Sequence, residues 1–239
     1  MAVFYLKYRP QKFSDIVGQE HVVKTLLSQL ETGKIGHGYL FAGPRGTGKT
    51  STARIFAKAV NCQKYKKPKF GEPCNKCKSC LAVVSGSHLD LIEIDAASNR
   101  LIEDVRDLRE KIKLSPVSSR FKVYIIDEAH MLTREAFNAL LKTLEEPPRH
   151  AIFILATTEP SKLPSTIISR VQRFNFQRAK DTELGLALKK IIKEEGIKID
   201  EEAIFMIAKA ADGSFRDAVS FLDQLSATSK KITKGDIKN

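Results

Sequence analysis

The chain has 239 residues, enough for one large domain or a domain and a half at ~150 residues per domain. Its 42% apolar and 28% charged residues give the balance of a globular protein rather than a disordered or fibrous one, and 40 Lys and Arg against 28 acids leave a net charge of +12, which fits a polyanionic partner without specifying an activity. Apolar stretches such as Ala151 to Ala156 fall far short of the ~20 residues a membrane-spanning helix needs. No basic segment followed by a long apolar core opens the chain, so secretion is not expected and a cytoplasmic location is. In that setting four cysteines argue for metal binding rather than disulfides.

Taken in chain order, Tyr8-Arg9-Pro10-Gln11-Lys12-Phe13 reads as extended and turn-like, because Pro10 fixes its own φ and restrains Arg9. From Gln19 to Leu30 the apolar residues recur at three- and four-residue intervals, which predicts an amphipathic helix stopped by Gly33. Short apolar runs follow at Tyr39–Ala42, Leu89–Ile94, Val123–Ile126 and Ala151–Ala156, with a weaker one at Arg173–Phe176. Helical patterns separate them at Thr50–Val60, Ile102–Lys113 and Arg134–Glu145, so the reading is an α/β fold whose parallel strands are covered on both faces. Beyond Ala179 the pattern changes to three helices, Asp181–Glu195, Asp200–Ala211 and Ser214–Ala227. Asp200 and Ser214 stand at N-cap positions, and Gly196 and Gly213 at C-cap positions. The expected division is an α/β domain over 1–178 and a small helical domain over 179–239, with the last residues reading as the start of a further element.

Gly43-Pro44-Arg45-Gly46-Thr47-Gly48-Lys49-Thr50 matches the phosphate-loop pattern between a strand and a helix. Its glycines let backbone amides converge on phosphate oxygens, and the helix that follows adds its positive end. Lys49 would supply a cation to the β- and γ-phosphates and the Thr50 hydroxyl a ligand to Mg²⁺; Ser51, next in the helix, is counted with them. Asp127 and Glu128 end an apolar strand, where two acids would be costly unless they leave the sheet at a functional edge. Ligands bind at the carboxyl ends of such strands, so Asp127 would complete the Mg²⁺ shell and Glu128 would orient and deprotonate an attacking water. Either acid could otherwise cap the next helix.

Cys62, Cys74, Cys77 and Cys80, with two-residue gaps in the later three, suit a closed tetrahedral zinc site in a module at about 62–80. A Cys₄ set also serves iron–sulfur clusters. Lys64, Lys66, Lys67, Lys69, Lys76 and Lys78 crowd the same segment and would lower the thiol pKa values.

Tyr8-Arg9-Pro10-x-x-Phe13-x-x-Ile16-Val17-Gly18-Gln19 ahead of a phosphate loop, joined to a four-cysteine insert, resembles the bacterial clamp-loader ATPases of the AAA+ class over essentially the whole chain. Asp95-Ala96-Ala97-Ser98-Asn99, the run from Asp127 to Leu132, Leu141 to Pro148 and Ala156-Thr157-Thr158-Glu159-Pro160 support the resemblance. It implies an AAA+ domain with a five-stranded parallel sheet and a zinc-binding insert, then a three-helix lid. It further implies an ATPase that works with ATP and Mg²⁺, with the collar and tail of the family absent. Tyr8, Arg9, Pro10, Ile16 and Val17 would form the adenine pocket. Ser169-Arg170 resembles the family's Ser-Arg-Cys motif, with Val171 in the third position, and Arg170 would reach the γ-phosphate held by a neighbouring subunit. Thr157 or Thr158 would sense the γ-phosphate. Arg216 resembles the lid's nucleotide sensor, and its own setting agrees: a cation in a first helical turn opposes the helix dipole unless a triphosphate lies there. Arg100, Arg106 and Lys162 would touch DNA phosphates, although Leu101 is apolar where another cation would have helped. The implied partners are other clamp-loader subunits, a sliding clamp, primer–template DNA, and a replicative polymerase and helicase through C-terminal regions.

Overall fold

A computed structural model describes residues 3–65, 70–98, 110–228 and 231–237. Its strands are β1 (Gly38–Ala42), β2 (Leu91–Asp95), β3 (Lys122–Asp127), β4 (Ala151–Thr157) and β5 (Gln172–Asn175). They form one sheet in the order β2-β3-β4-β1-β5, and every neighbouring pair runs parallel. The described helices are α1 (Phe4–Lys7), α2 (Glu20–Thr32), α3 (Lys49–Asn61), α4 (Lys78–Ser85), α5 (Arg134–Glu145), α6 (Ser165–Ile168), α7 (Asp181–Glu195), α8 (Glu201–Ala210) and α9 (Phe215–Thr228). The helix expected at Ile102–Lys113 lies outside the described residues except for 110–113, which are helical. No described helix is long and apolar enough to cross a membrane.

The two-residue repeat of extended backbone sorts the strand side chains onto two faces. Tyr39, Phe41, Val123, Ile125, Ile152 and Ile154 meet Leu26 of α2 and Phe56 of α3 on one face. Leu40, Tyr124, Ile126, Phe153 and Leu155 meet Phe137, Leu140 and Leu144 of α5 on the other. β1 and β4 are buried from end to end, and β3 is buried up to Asp127, which is why their sequences are continuously apolar. β2 departs from this expectation. As an edge strand it is only half covered, and its exposed Glu93 accepts a hydrogen bond from Arg54 Nε at 2.9 Å.

A separate core under α7, α8 and α9 joins Leu184, Leu188, Ile207, Val219 and Leu222. Phe4, Tyr5 and Tyr8 pack on it, and Phe4 N donates to Asp223 Oδ2 at 3.1 Å, so α1 belongs by contact to the helical bundle. Ser214 Oγ caps α9 by accepting from Asp217 N at 3.2 Å. Asp200 makes no such cap on α8; its carboxylate pairs with Lys231 Nζ at 2.9 Å instead. Gly196 closes α7 in a left-handed conformation. Gly213 does not close α8, whose cap residue is Ala211. With φ +76° it lies against the segment entering α7, and a Cβ there would sit 2.4 Å from Arg178 Cβ. This glycine allows the two parts of the chain to touch.

Parallel pairing brings the carboxyl ends of β1, β3 and β4 to one edge. Ala42 is in register with Thr157, and Asp95 at the end of β2 with Asp127. At the opposite edge, fully buried Asp90 accepts from Val117 N at 2.7 Å, Ser118 N at 2.9 Å and Ser118 Oγ at 3.2 Å. Burial pushes its carboxyl pKa up, but these donors outweigh burial and hold it below the ordinary value. A depressed carboxylate stabilises the fold above its unfolded pKa near ~3.9 and loses that contribution as pH falls through the folded value. Asp90→Asn should therefore lower unfolding free energy by about 1–3 kcal/mol at pH 7, with the gap to wild type closing below pH ~4, as read by urea titration at both pH values.

Candidate functional site

A cleft of about 290 Å³ opens at the carboxyl edge of the sheet, between the phosphate loop, the N-terminal strap and α9. Arg9, Pro10, Ile16, Val17, the run from Arg45 to Ser51, Asp127, Glu128 and Arg216 all line it. Tyr5, Leu6, Asp15, Gln19 and Phe215 also line it. The expected set lacked these residues: Tyr5 and Leu6 of α1 and Phe215 of α9 reach the cleft through tertiary packing, while Asp15 and Gln19 lie on the strap beside the expected Ile16 and Val17. Tyr8 does not line it: its hydroxyl donates to Glu195 Oε1 at 2.6 Å, and burial followed by that carboxylate raises its pKa. Tyr8 thus tethers the strap to α7.

The loop is built for close approach. Phe215 N donates to Gly46 O at 3.1 Å, so the start of α9 lies directly on the phosphate loop. Gly46 has φ +75°, and a Cβ there would fall 1.8 Å from Ser214 Oγ, so only glycine permits the contact. Lys49 is 5% exposed, and its Nζ donates to Gly43 O and Pro44 O at 2.8 Å each. Burial lowers its pKa while Glu128 and Asp127 oppose that shift, so the carboxylates hold an ammonium in a dry place. Thr50 Oγ1 donates to Asp127 Oδ2 at 2.7 Å, which brings two oxygen ligands of the type Mg²⁺ prefers onto one spot. Arg9 Nε donates to Ser51 Oγ at 3.2 Å and ties the strap to α3.

Glu128 takes a left-handed backbone, φ +46°, as the chain turns off β3. Its Oε2 accepts from Thr158 Oγ1 at 3.1 Å and lies 3.4 Å from His130 Nδ1. The two threonines are not equivalent. Thr157 is fully buried and committed to His130 Nδ1 at 2.9 Å and to Glu159 N at 3.0 Å, whereas Thr158 faces Glu128. His130, which bridges Glu128, Thr157 and Glu159, is a neighbour that sequence reasoning missed because the motif alone does not show which way its ring turns.

Arg170 stands apart from the cleft, where it donates to Glu145 Oε1 at 2.6 Å and Thr166 O at 2.7 Å. Arg216 is in the cleft with its guanidinium 5.0 Å from the Tyr5 ring centroid, a cation–π contact that offsets its opposition to the helix dipole. Lys162 is paired with Glu159 Oε2 at 2.8 Å. Arg100 and Arg106 lie outside the described residues, as do Asn99, Lys66, Lys67 and Lys69.

The four cysteines converge, their Sγ atoms all within 4.8 Å of one another. Tetrahedral Zn–S bonds of ≈ 2.3 Å put sulfurs roughly 3.8 Å apart, so a small contraction would close this cage around a single ion. Burial raises the Cys62 and Cys80 thiols. Burial acts upward on Cys74 too, but backbone N–H groups of Lys76 and Cys77 and the neighbouring thiols outweigh it and leave Cys74 at about 6. For Cys74 the leading influence that lowers the thiol is thus backbone amides rather than lysine side chains, while three of the six lysines, Lys66, Lys67 and Lys69, lie outside the described residues.

Two family models match the chain: one described as DNA polymerase III, delta subunit, over residues 18–180, and one described as DNA polymerase III clamp loader subunit, ATPase lid domain, over 184–231. The chain is 55% identical to DNA polymerase III subunit tau of Bacillus subtilis over 96% of its own length and 40% of that protein. It is 50% identical to the tau subunit of Escherichia coli over 93% of its length and 34% of that protein. It therefore spans about two fifths or less of the length of these relatives. Among solved structures it resembles the Thermotoga maritima RuvB Holliday junction branch migration motor, with a TM-score of 0.70 and 23% identity over 97% of this chain and 71% of that one. At that identity the likeness speaks to fold. For the cysteine cluster, the expected result is about one zinc per chain by elemental analysis, falling to near zero in Cys77→Ser, with the melting temperature dropping on treatment with a strong chelator.

Proposed function

The chain belongs to the clamp-loader ATPase family of DNA polymerase III, and on that premise we propose that it is the ATPase portion of a tau/gamma-type subunit, which uses ATP binding and hydrolysis to place a sliding clamp on primed DNA. The observation that carries this reading is the meeting of phosphate loop, strand-end acids and α9 in one cleft, with Phe215 N donating to Gly46 O. A polyanion entering there would meet the loop amides, Lys49 and Arg216, and the strap residues Arg9, Pro10, Ile16 and Val17 would flank its base.

Thr50 and Asp127 would hold Mg²⁺, which when bound neutralises phosphate charge. Lys49 would leave the Gly43 and Pro44 carbonyls for the β- and γ-phosphates, a move that exchanges neutral acceptors for charged ones. Glu128 would orient the attacking water and accept its proton once Thr158 lets go of its carboxylate. Thr158 is the threonine we assign to the γ-phosphate end, since Thr157 is occupied by His130 and Glu159. Arg170, outside its own cleft, would act on a neighbouring subunit's nucleotide, so that hydrolysis depends on assembly. In Cys62, Cys74, Cys77 and Cys80 we propose a structural zinc ion.

The proposed partners are further clamp-loader subunits, the sliding clamp and primer–template DNA, in the bacterial cytoplasm, with polymerase and helicase contacts assigned to the part of the relatives this chain does not span. Lys162, Arg100 and Arg106 remain our proposed phosphate contacts, with Lys162 needing to exchange Glu159 for a DNA phosphate. The test is ATP hydrolysis by the full-length protein assembled with its clamp-loader partners, with and without clamp and primed DNA. Stimulation by both is expected. Lys49→Ala should abolish nucleotide binding, whereas Arg170→Ala should leave binding intact and cut stimulated turnover by about a thousandfold. Turnover indifferent to clamp and DNA would overturn the clamp-loading reading, and full turnover in Arg170→Ala the trans role.

A further inference from the structure

Lys58 is a lysine the nucleotide mechanism does not use, and it is 1% exposed. An ammonium buried that deeply is costly unless every donor is met, and Lys58 meets three oxygens: Gln11 O at 2.7 Å, Gln11 Oε1 at 2.8 Å and Asn75 Oδ1 at 2.9 Å. Asn75 lies between Cys74 and Cys77 in the metal-binding turn, and its own Nδ2 donates to Gln11 O at 3.1 Å. Gln11 Nε2 in turn donates to the carbonyl of Arg9, which lines the nucleotide cleft with Pro10. A second clasp runs alongside. Glu72, just before the cysteine turn, accepts from Phe13 N at 3.0 Å and Ser14 N at 2.9 Å and so holds the next turn of the strap. Burial disfavours the charge on this ammonium and lowers its pKa, and the carboxylates of Asp15 and Glu72 oppose that shift.

The strap thus has the cleft on one side and the cysteine module on the other. Phe13, Ile16 and Val17 anchor the strap to the two cores, whereas its ties to the cysteine turn are the polar ones just described, and a cysteine turn without its ion is free to move. We infer that Lys58 is a positioning residue that links the metal module to the nucleotide strap, so that filling the cysteine site tightens nucleotide binding. This rests on reading the cleft as the nucleotide site. Linkage makes the effect reciprocal: bound nucleotide should tighten metal retention by the same factor.

The experiment measures affinity of the full-length protein for a fluorescent ATP analogue, with the cysteine site loaded by one equivalent of zinc and again after stripping with a chelator. Stripping should weaken wild-type binding about tenfold. Lys58→Met, with its zinc content verified, should bind about tenfold more weakly than wild type and lose most of its response to zinc. Asn75→Gly removes one oxygen at a position whose φ of +54° glycine adopts freely; it should shift affinity in the same direction by about threefold, and it decides the matter if Lys58→Met fails to fold. Wild-type affinity that ignores zinc, or variants that keep both wild-type affinity and the wild-type zinc response, would overturn the link. Lys49→Ala separates this failure from that of the site itself: no Lys49-dependent binding in loaded wild type sinks the nucleotide reading, while Lys49-dependent binding that ignores zinc sinks only the role of Lys58.

Discussion

A sheet covered on both faces has no room for unpaired charge, and the arrangement of this protein follows from that constraint. β1, β3 and β4 fill their interiors with aliphatic and aromatic side chains, so their polar residues collect where the strands end. Since all five strands run parallel, those ends share one edge. Asp127, Glu128 and Thr157 on one side and the phosphate loop on the other are brought together without any of them having to cross the core. Asp90, buried at the far edge, shows the same rule from the opposite direction: it is tolerated because backbone and hydroxyl donors surround it.

The second layer of organisation is contact between chain segments that are distant in sequence. α9 reaches the phosphate loop through Phe215 and Gly46, α1 packs on the helical bundle, and the strap joins the two with Tyr8 tied to Glu195 and Arg9 to Ser51. A nucleotide in the cleft would touch all three. Any change in the angle between bundle and sheet would then be felt by phosphate loop and strap together, a coupling that the nucleotide-dependent assembly proposed above would use.

Much of this was legible from the residues in order. For β1, β3 and β4 the strand ends agree with the apolar runs to within one residue, because burial on both faces writes an unbroken apolar signature, whereas the edge strand β5 has only Phe174 buried. The phosphate loop and the cysteine spacing are local patterns: the fold lines one cleft with the run from Arg45 to Ser51, Asp127 and Glu128, and separately brings the four Sγ atoms within 4.8 Å of one another. Other features were not legible. Edge position half exposes β2, yet its residues read like those of a central strand. Gly213 stands where a helix cap belongs, but it answers to the backbone of Arg178 and Ala179. Tyr8 stands in a strap motif, but a carboxylate at the end of α7 claims its hydroxyl.

Periodicity and spacing along the chain were enough to read the fold class, the five strands, the helices α2, α3, α5, α7, α8 and α9, the phosphate loop with its two acids and the four clustered cysteines, whereas the short helices α1, α4 and α6 were not read from them. It took tertiary packing to show that Thr157 bonds His130 and Glu159 while Thr158 bonds Glu128, that Arg170 faces away from its own cleft, that Ser214 must meet a glycine, and that Lys58 lies against the cysteine turn. Those outcomes depend on which groups meet after folding. A side chain's partner across tens of residues is set by packing and desolvation, and neither is written in local order.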